Sequence, residues 1–294
     1  MVSKDAKRWG IAAHIVMIIL TLLAALPFLL LIIASFTDEN TALNYGYSYF
    51  PKKWSVAAYK YILANASTYV RAYGMTIAVT VIGLAICIVI TSLTAYVLSK
   101  KDLPGVGIMN LIVIFTMLFN GGLVATYINY VTIFNIKNTI WALIVPNLLM
   151  SAFNIMLVRN YFSNNIPEDI YESARIDGAH EVTIFIKLVL PLSVPILATV
   201  GLMSGIAYWN DWQNSLYYID DRSMYTIQAI LNSINEGIAA LKQLASVSTG
   251  STADLPSTTM RMAVAVVGIL PILVVYPFFQ KYFAAGLMAG AVKG

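Results

Sequence analysis

The sequence predicts an all-α membrane protein with about six transmembrane helices, because it is poor in charge and carries long apolar segments. Of its 294 residues, 59% are hydrophobic and only 11% are charged, whereas a soluble domain carries about 25% charged residues. The mean hydropathy is +0.76. Such a chain lacks the polar side chains to cover a water-facing surface, so lipid is the expected solvent.

Six segments are long and apolar enough to span a bilayer, which takes about 20 helical residues. The first exceeds the apolar core of a signal peptide, which has about 7–15 residues, so we interpret it as a retained span. The third exceeds one span, and Asn120-Gly121-Gly122 is expected to break or bend it. The six segments are 11–36, 72–99, 103–136, 139–158, 188–209 and 262–279.

The placement of lysine and arginine predicts that both termini are cytoplasmic. These residues are denser in 1–10, 100–105, 159–187 and the C-terminal tail than in the opposite loops, as the positive-inside rule describes. We therefore expect a cytoplasmic N-terminus at 1–10, a transmembrane domain at 11–281 and a cytoplasmic tail at 282–294. Within that domain, 159–187 is an inner loop and 210–261 an outer loop. The net charge of +4 fits this flanking pattern, so no nucleic acid partner is expected.

The chain shows no energy source of its own for transport. It contains no G-x-x-x-x-G-K-[ST] phosphate loop, so it is not expected to hydrolyse ATP. The six segments contain no Asp, Glu, Lys or Arg, which ion-coupled carriers usually place inside the membrane. Sodium sites built from backbone and hydroxyl oxygens leave a gradient-driven carrier possible. The single cysteine, Cys87, argues against a zinc cluster, and no metal site is expected.

The inner loop at 159–187 contains the pattern of a short helix. Pro167 suits the first turn, Glu168 and Asp169 favour its positive end, and Gly178 suits a C-terminal cap. A helix of about ten residues would be about 15 Å long, and a second short helix is expected over 181–185. From the residues alone, the first helix either docks into a groove of a partner or is a solvated linker.

The same loop resembles the EAA signature of bacterial ABC-importer permeases, E-A-A-x-x-D-G-A followed by L-P-L-x-x-P. Ser173 replaces the central alanine and is small enough to keep close packing. Segments 47–54, 209–212 and 276–283 resemble the carbohydrate-uptake branch of these permeases. Within that branch they are most similar to permeases for oligo- and polysaccharides, such as the second permease subunit of alginate-type importers. The matching residues are Glu172, Ala174, Asp177, Gly178, Ala179, Phe185, Leu190, Pro191, Leu192 and Pro195.

The resemblance implies a type I ABC-importer permease fold whose inner loop forms a coupling helix seated in a cleft of an ATPase subunit. It implies a multi-pass subunit of the bacterial cytoplasmic (inner) membrane that works with a homologous second permease, two ATPase subunits and a solute-binding protein. ATP and Mg would be bound by the ATPase subunits, and this chain would bind no cofactor. The expected coupling residues are Glu172, Ser173, Ala174, Asp177, Gly178 and Ala179.

Seven polar or aromatic residues in or beside the apolar segments suit contacts with a sugar, through amide hydrogen bonds and aromatic faces. An alternative explanation is structural, since intramembrane Asn often bonds between helices and Tyr or Trp anchors helix ends. A gradient-driven carrier, a non-transporting scaffold or receptor, and a permease for another solute also stay open. The seven residues are Asn120, Tyr127, Asn147, Asn154, Tyr208, Trp209 and Asn210.

Overall fold

A computed structural model of the chain describes residues 4–100, 102–247 and 258–291. Within them the protein is helical and contains no β-strand, apart from one isolated antiparallel bridge between Thr37 and Trp54. The chain divides into two compact units, one made of Met1–Tyr69 with Leu231–Leu270 and the other of Val70–Ile230 with Pro271–Gly294. Parts of the N-terminal, loop and tail predictions lie outside the described residues, namely 1–3, Lys101, 248–257 and 292–294.

The first unit begins with a long apolar helix whose residues Trp9–Ser35 satisfy the length and composition of a membrane span. It also contains the N-terminal end of the last long helix, which is capped by a distant side chain. The two carboxylate oxygens of Glu39 accept hydrogen bonds from the backbone N–H groups of Thr258 and Thr259, both at 2.9 Å. A carboxylate is favoured there because a helix N-terminus carries partial positive charge. The helices are α1 (Lys4–Ser35), α2 (Glu39–Tyr45) and α3 (Ala57–Ala64), with parts of α4 (Ala66–Ser99), α14 (Ile227–Val247) and α15 (Thr258–Ala291).

The second unit contains most of α4 and the later part of α15, together with shorter helices joined by sharp breaks. The third predicted span is bent as expected, by 116° between its two halves. At the break, Gly122 has φ +81, and its N–H donates to Oδ1 of Asn120 at 2.8 Å. The elements are α5 (Val106–Leu118), α6 (Gly122–Ile128), a π-helical turn (Asn129–Ile133), α7 (Ile140–Ile144), α8 (Ala152–Asn165), α9 (Glu168–Ile176), α10 (Glu181–Ile184), a second π-helical turn (Phe185–Val189), α11 (Leu190–Leu192), α12 (Val194–Asn210), α13 (Gln213–Tyr218) and a 3-10 turn (Arg222–Met224).

The fourth predicted span, 139–158, is not one continuous helix and is corrected here. It is divided between α7 and α8, and Asn147 in the break has φ +62. The break frees backbone carbonyls, which are costly to leave unpaired in lipid. The carbonyl of Ile144 accepts from the Tyr208 hydroxyl at 3.0 Å, and that of Pro146 accepts from Asn214 Nδ2 at 3.0 Å. Side chains from α12 and α13 therefore supply hydrogen bonds to these two carbonyls at the break.

Three described helices are long and apolar enough to cross a membrane, or five if each of two bent pairs forms one span. They are Trp9–Ser35, Ala66–Ser99 and Thr258–Val275, and they confirm the first, second and sixth predicted segments. The fifth predicted segment lies within a pair that begins at Glu181 and bends by 78° before α12. Helix α15 continues to Ala291, so most of the segment assigned to the C-terminal tail is helical.

Candidate functional site

The inner loop forms the predicted short helix, α9. It runs from Glu168 to Ile176, nine residues, with Pro167 in an extended conformation immediately before it. Glu168 and Asp169 occupy the first turn and Arg175 the last, so the charges complement the partial charges at both helix ends.

The end of α9 depends on the glycine. Gly178 has φ +77, a left-handed conformation that glycine adopts without steric cost. Its N–H donates to the carbonyl of Arg175 at 3.0 Å, and the N–H of Ala179 donates to the carbonyl of Ala174 at 2.9 Å. These two bonds form a Schellman motif, which satisfies helix carbonyls that would otherwise lack partners.

Helix α9 has one buried face and one exposed face. Tyr171 and Ala174 are buried, whereas Glu172, Ser173, Asp177 and Gly178 are exposed. Ile176 is 86% exposed, which is unusual for an isoleucine at the end of a short helix. The Glu172 carboxylate forms no ion pair within the described part of the chain. The exposed face therefore offers a carboxylate, small residues and one apolar side chain to a partner.

The buried face packs into an aromatic cluster at the end of α4. The ring of Tyr96 lies 6.4 Å from that of Tyr171, 5.1 Å from that of Phe185 and 6.5 Å from that of Phe162. Val158, Ile184 and Val189 complete the same buried core. This cluster joins α9 to α4, α8 and the second π-helical turn.

A polar chain crosses the edge of this cluster. The Tyr96 hydroxyl donates to Oε2 of Glu181 at 2.5 Å, and Oε1 of Glu181 accepts from Nε of Arg175 at 3.0 Å. Arg175 also lies 3.7 Å from the Glu168 carboxylate. The hydrogen bonds from Tyr96 and Arg175 lower the pKa of Glu181 below its usual value, and the Glu181 carboxylate raises that of Arg175. Both side chains are therefore charged at neutral pH.

Lys100, directly after α4, lies over the same cluster. Its Nζ is 3.2 Å from the centroid of the Tyr171 ring and 5.2 Å from that of Tyr96. The ammonium is buried with no hydrogen-bond partner in the described residues, and this burial lowers the pKa of Lys100. The side chains surround a cavity of about 640 Å³ that Asp102 and Glu168 also line. Sequence reasoning missed Tyr96, Lys100 and Glu181 as a group, because Tyr96 lies within a predicted span, Lys100 directly after it and Glu181 in a separate short helix, and no local pattern links the three.

The seven predicted sugar-contact residues fall into two groups. Three are buried and already have internal partners. Asn154 Nδ2 donates to the Ser204 hydroxyl at 3.2 Å, the Tyr208 hydroxyl bonds to the Ile144 carbonyl, and the Trp209 ring lies 6.4 Å from that of Tyr73. These contacts hold α12 against its neighbours.

The other four predicted residues are more accessible. Asn120, Asn147 and Asn210 are exposed, and Tyr127 is half-buried. The Tyr127 ring stacks on that of Tyr218 at 5.7 Å. Asn120 and Asn147 lie at the two helix breaks, where the backbone leaves the regular helix. Of the seven residues, Trp209 alone lines the apolar cavity of about 340 Å³ between α4, α12 and the middle of α15.

The stretch of sequence that forms the broken apolar helices and α9 matches a known family. The family model described as "binding-protein-dependent transport system inner membrane component" matches residues 103–288. The chain belongs to this family of permeases. The match includes α9, its Schellman end and the L-P-L segment that follows.

Relatives and a solved structure agree with that assignment. The permease is 37% identical to the polygalacturonan/rhamnogalacturonan transport system permease protein of Bacillus subtilis, over 95% of this chain and 96% of that protein. It is 27% identical to the arabinooligosaccharides transport system permease protein of Halalkalibacterium halodurans, over 92% of each. A chain in the crystal structure of a bacterial ABC transporter involved in the import of the acidic polysaccharide alginate has a TM-score of 0.77 and 27% identity. That likeness covers 96% of this permease and 99% of the other chain.

Family membership decides between the general functions that the sequence left open. The permease is a membrane-embedded, non-enzymatic component of an ABC transport system, and ATP hydrolysis belongs to a partner subunit. This result favours the hypothesis of an ATP-driven transporter subunit over those of a self-sufficient carrier and a non-transporting scaffold. The permease fold predicted from the sequence is confirmed.

Proposed function

We propose that this permease is one of two membrane-spanning subunits of an ATP-driven, binding-protein-dependent importer of oligosaccharides or polysaccharides. The observation that carries the proposal is α9, an exposed helix end with the EAA pattern, fixed by aromatic packing to the end of a membrane span. The likeness of the whole chain to transport proteins named for polygalacturonan/rhamnogalacturonan, arabinooligosaccharides and alginate supports the proposed substrate class.

The coupling role belongs to the end of α9. Glu172 is exposed and forms no ion pair with any described residue, so it is available for a polar contact in the cleft of an ATPase subunit. Ser173 and Asp177 are exposed beside it, whereas Ala174 is buried in the aromatic cluster. Gly178 and Ala179 form the turn. In this proposal α9 is the part of the chain that receives mechanical work.

The substrate path is proposed to use the accessible polar residues. Asn120, Asn147 and Asn210 are exposed and Tyr127 is half-buried, so a sugar can reach their side chains, and Asn120 and Asn147 lie where the backbone leaves the regular helix. Broken helices near the middle of a membrane are a common way to build a transport site. Asn154, Tyr208 and Trp209 are proposed to hold this path in shape from the buried side.

The proposed assembly contains a homologous second permease, two ATPase subunits that bind ATP and Mg, and a solute-binding protein. It lies in the bacterial cytoplasmic (inner) membrane with both permease termini in the cytoplasm, so that 210–261 faces the binding protein. ATP binding draws the coupling helices together and opens the path outward, and hydrolysis reverses the change. An ion gradient has no role in this cycle.

The test is uptake in proteoliposomes that contain the assembled transporter and its binding protein. We expect uptake of oligosaccharides only when ATP is enclosed in the vesicles, on the side of the membrane that carries the ATPase subunits. Galacturonate and mannuronate oligomers are the first sugars to test. This permease reconstituted alone is the control and should give no uptake under a sodium or proton gradient. Gradient-driven uptake by the permease alone, or ATP-dependent uptake of a non-sugar solute only, would contradict the proposal.

A further inference from the structure

The contacts between α9 and the inner end of α4 are of two kinds. The aromatic and aliphatic contacts around Tyr96 and Tyr171 exclude water, but apolar contacts have little directional preference. The hydrogen bond from Tyr96 to Glu181 is directional, since it joins a hydroxyl to a charged carboxylate. It also links residues 85 positions apart in the sequence.

Glu181 connects three elements through one carboxylate. One oxygen accepts from Tyr96 on α4 and the other from Arg175 in the last turn of α9, while the residue itself begins α10. A displacement of α9 therefore acts on α4 through two hydrogen bonds in series. Without this carboxylate, α9 would be joined to α4 through apolar contacts and Lys100.

Lys100 provides a second connection between the same elements. It follows the last residue of α4, and its ammonium lies 3.2 Å from the centre of the Tyr171 ring on α9. A buried ammonium over an aromatic face is attracted to it more strongly than an exposed one. The ammonium has no hydrogen-bond partner in the described residues, and of its two recorded ring contacts that with Tyr171 is the closer.

We propose that Tyr96, Glu181 and Lys100 are positioning residues for energy coupling, which transmit the displacement of α9 to membrane helix α4. The proposal rests on the proposed function, since it takes α9 to be the helix that an ATPase subunit moves. These side chains do not contact the sugar or the nucleotide. They determine how much of the displacement of α9 reaches the membrane part of the permease.

The test compares hydroxyl deletions in the complete transporter reconstituted in proteoliposomes. Tyr96→Phe removes the hydroxyl and keeps the ring in the aromatic cluster. Tyr161→Phe is the matched control, because the Tyr161 hydroxyl bonds to the Leu192 carbonyl at 3.3 Å in the same region but does not link α9 to α4. The readout is the number of sugar molecules taken up per ATP hydrolysed, with co-purification of the ATPase subunits showing that the complex is intact.

We expect Tyr96→Phe to lower this coupling ratio at least about tenfold, the lower end of the loss expected for one hydrogen bond to a charged group. ATP hydrolysis should continue, and Tyr161→Phe should stay within about twofold of the wild type. Glu181→Ala should show a comparable loss, and the double variant should be no worse than the more severe single variant, since both changes remove the same bond. Lys100→Met should lower the ratio by a smaller factor.

Two results would overturn the inference. One is a coupling ratio for Tyr96→Phe equal to that of Tyr161→Phe, and the other is a double variant whose loss is the product of the two single losses. If wild-type proteoliposomes take up sugar with ATP and Tyr96→Phe keeps the ratio, the inference fails and the proposed function stands. If the wild type shows no ATP-dependent sugar uptake, the proposed function fails, and the inference fails with it.

Discussion

Replacement of Gly178 separates two requirements of the turn that ends α9, namely its backbone conformation and its fit against a partner subunit. Gly178 has φ +77, and a Cβ placed on it would meet no atom within 4 Å. In the isolated permease the cost of Gly178→Ala is therefore backbone strain alone, about 1–2 kcal/mol for an L-residue in the left-handed region. Asparagine tolerates this region better than alanine, so Gly178→Asn should disturb the isolated turn less.

The two variants are expected to rank in the opposite order in the assembled transporter. If the open space beside Gly178 is filled by an ATPase subunit, the larger asparagine side chain collides with it more than the alanine methyl does. We expect Gly178→Ala to lower ATP-dependent uptake by about tenfold, in line with its strain, and Gly178→Asn to lower it further. Both variants should remain in the membrane at wild-type levels, since the residue is exposed.

The assay is uptake by proteoliposomes together with co-purification of the ATPase subunits. Gly105→Ala is the control, because Gly105 also has a positive φ, +84, and open space around its Cβ position. At this site asparagine should lose no more than alanine, because asparagine tolerates the left-handed region better and no partner is expected there. Uptake by Gly178→Asn equal to or above that of Gly178→Ala would show that no partner packs against this turn, and would refute the reasoning.

Two further predictions concern the second unit. Burial raises the pKa of Asp211, just beyond α12, from 3.8 to about 6. The folded permease therefore binds the carboxyl proton of Asp211 more tightly than the unfolded chain does. The free energy of unfolding falls as the pH rises from about 4 to about 6, because the folded state must then bury a charged carboxylate. Asp211→Asn should therefore raise the melting temperature at pH 7, by a stabilisation on the order of 3 kcal/mol at most, and change nothing below about pH 4; an equal effect at both pH values would contradict this. Gly83→Ala should lower the melting temperature by overpacking, at about 1–3 kcal/mol, because its Cβ would lie 2.7 Å from the buried ring of Tyr208; Gly74→Ala on the same helix meets no atom within 4 Å and should lose nothing, so equal losses would contradict it.

The membrane spans were predictable to the extent that each is a single apolar helix. Composition and length were enough for α1, α4 and α15. The bend at Asn120-Gly121-Gly122 was predictable from the residue types, because two glycines after an asparagine disfavour a continuous helix. The break inside 139–158 was missed because a hydropathy pattern counts apolar residues and does not register where the backbone stops being helical.

The signal for that break was present but weak. Pro146 lacks a backbone N–H and disfavours a helix interior, and Asn147 is among the few residue types that adopt a left-handed conformation readily. What makes the break stable is distant in sequence, since Tyr208 and Asn214 supply the missing hydrogen bonds. A partner 64 residues away has no periodicity that links it to the break.

The candidate site shows the same limit. The helix α9 and its glycine end followed from local rules for helix termini, and the EAA resemblance gave them a role. The link from Tyr96 through Glu181 to Arg175 did not follow, because it depends on how α4 and α9 lie against each other. Among the predicted sugar contacts, hydropathy could not separate Asn154, which is bonded to Ser204, from Asn147, which is exposed.

The most direct test of the account is whether the end of α9 lies against a separate ATPase subunit. The native Cys87 is fully buried, so a single accessible cysteine can be introduced at Ile176, which is 86% exposed, or at Leu63 on α3, which is 73% exposed. With a short bifunctional reagent in intact membranes, we expect Ile176→Cys to crosslink to the ATPase subunit and Leu63→Cys not to do so. An Ile176→Cys variant that assembles with the ATPase but crosslinks to it no more than Leu63→Cys does would contradict the account.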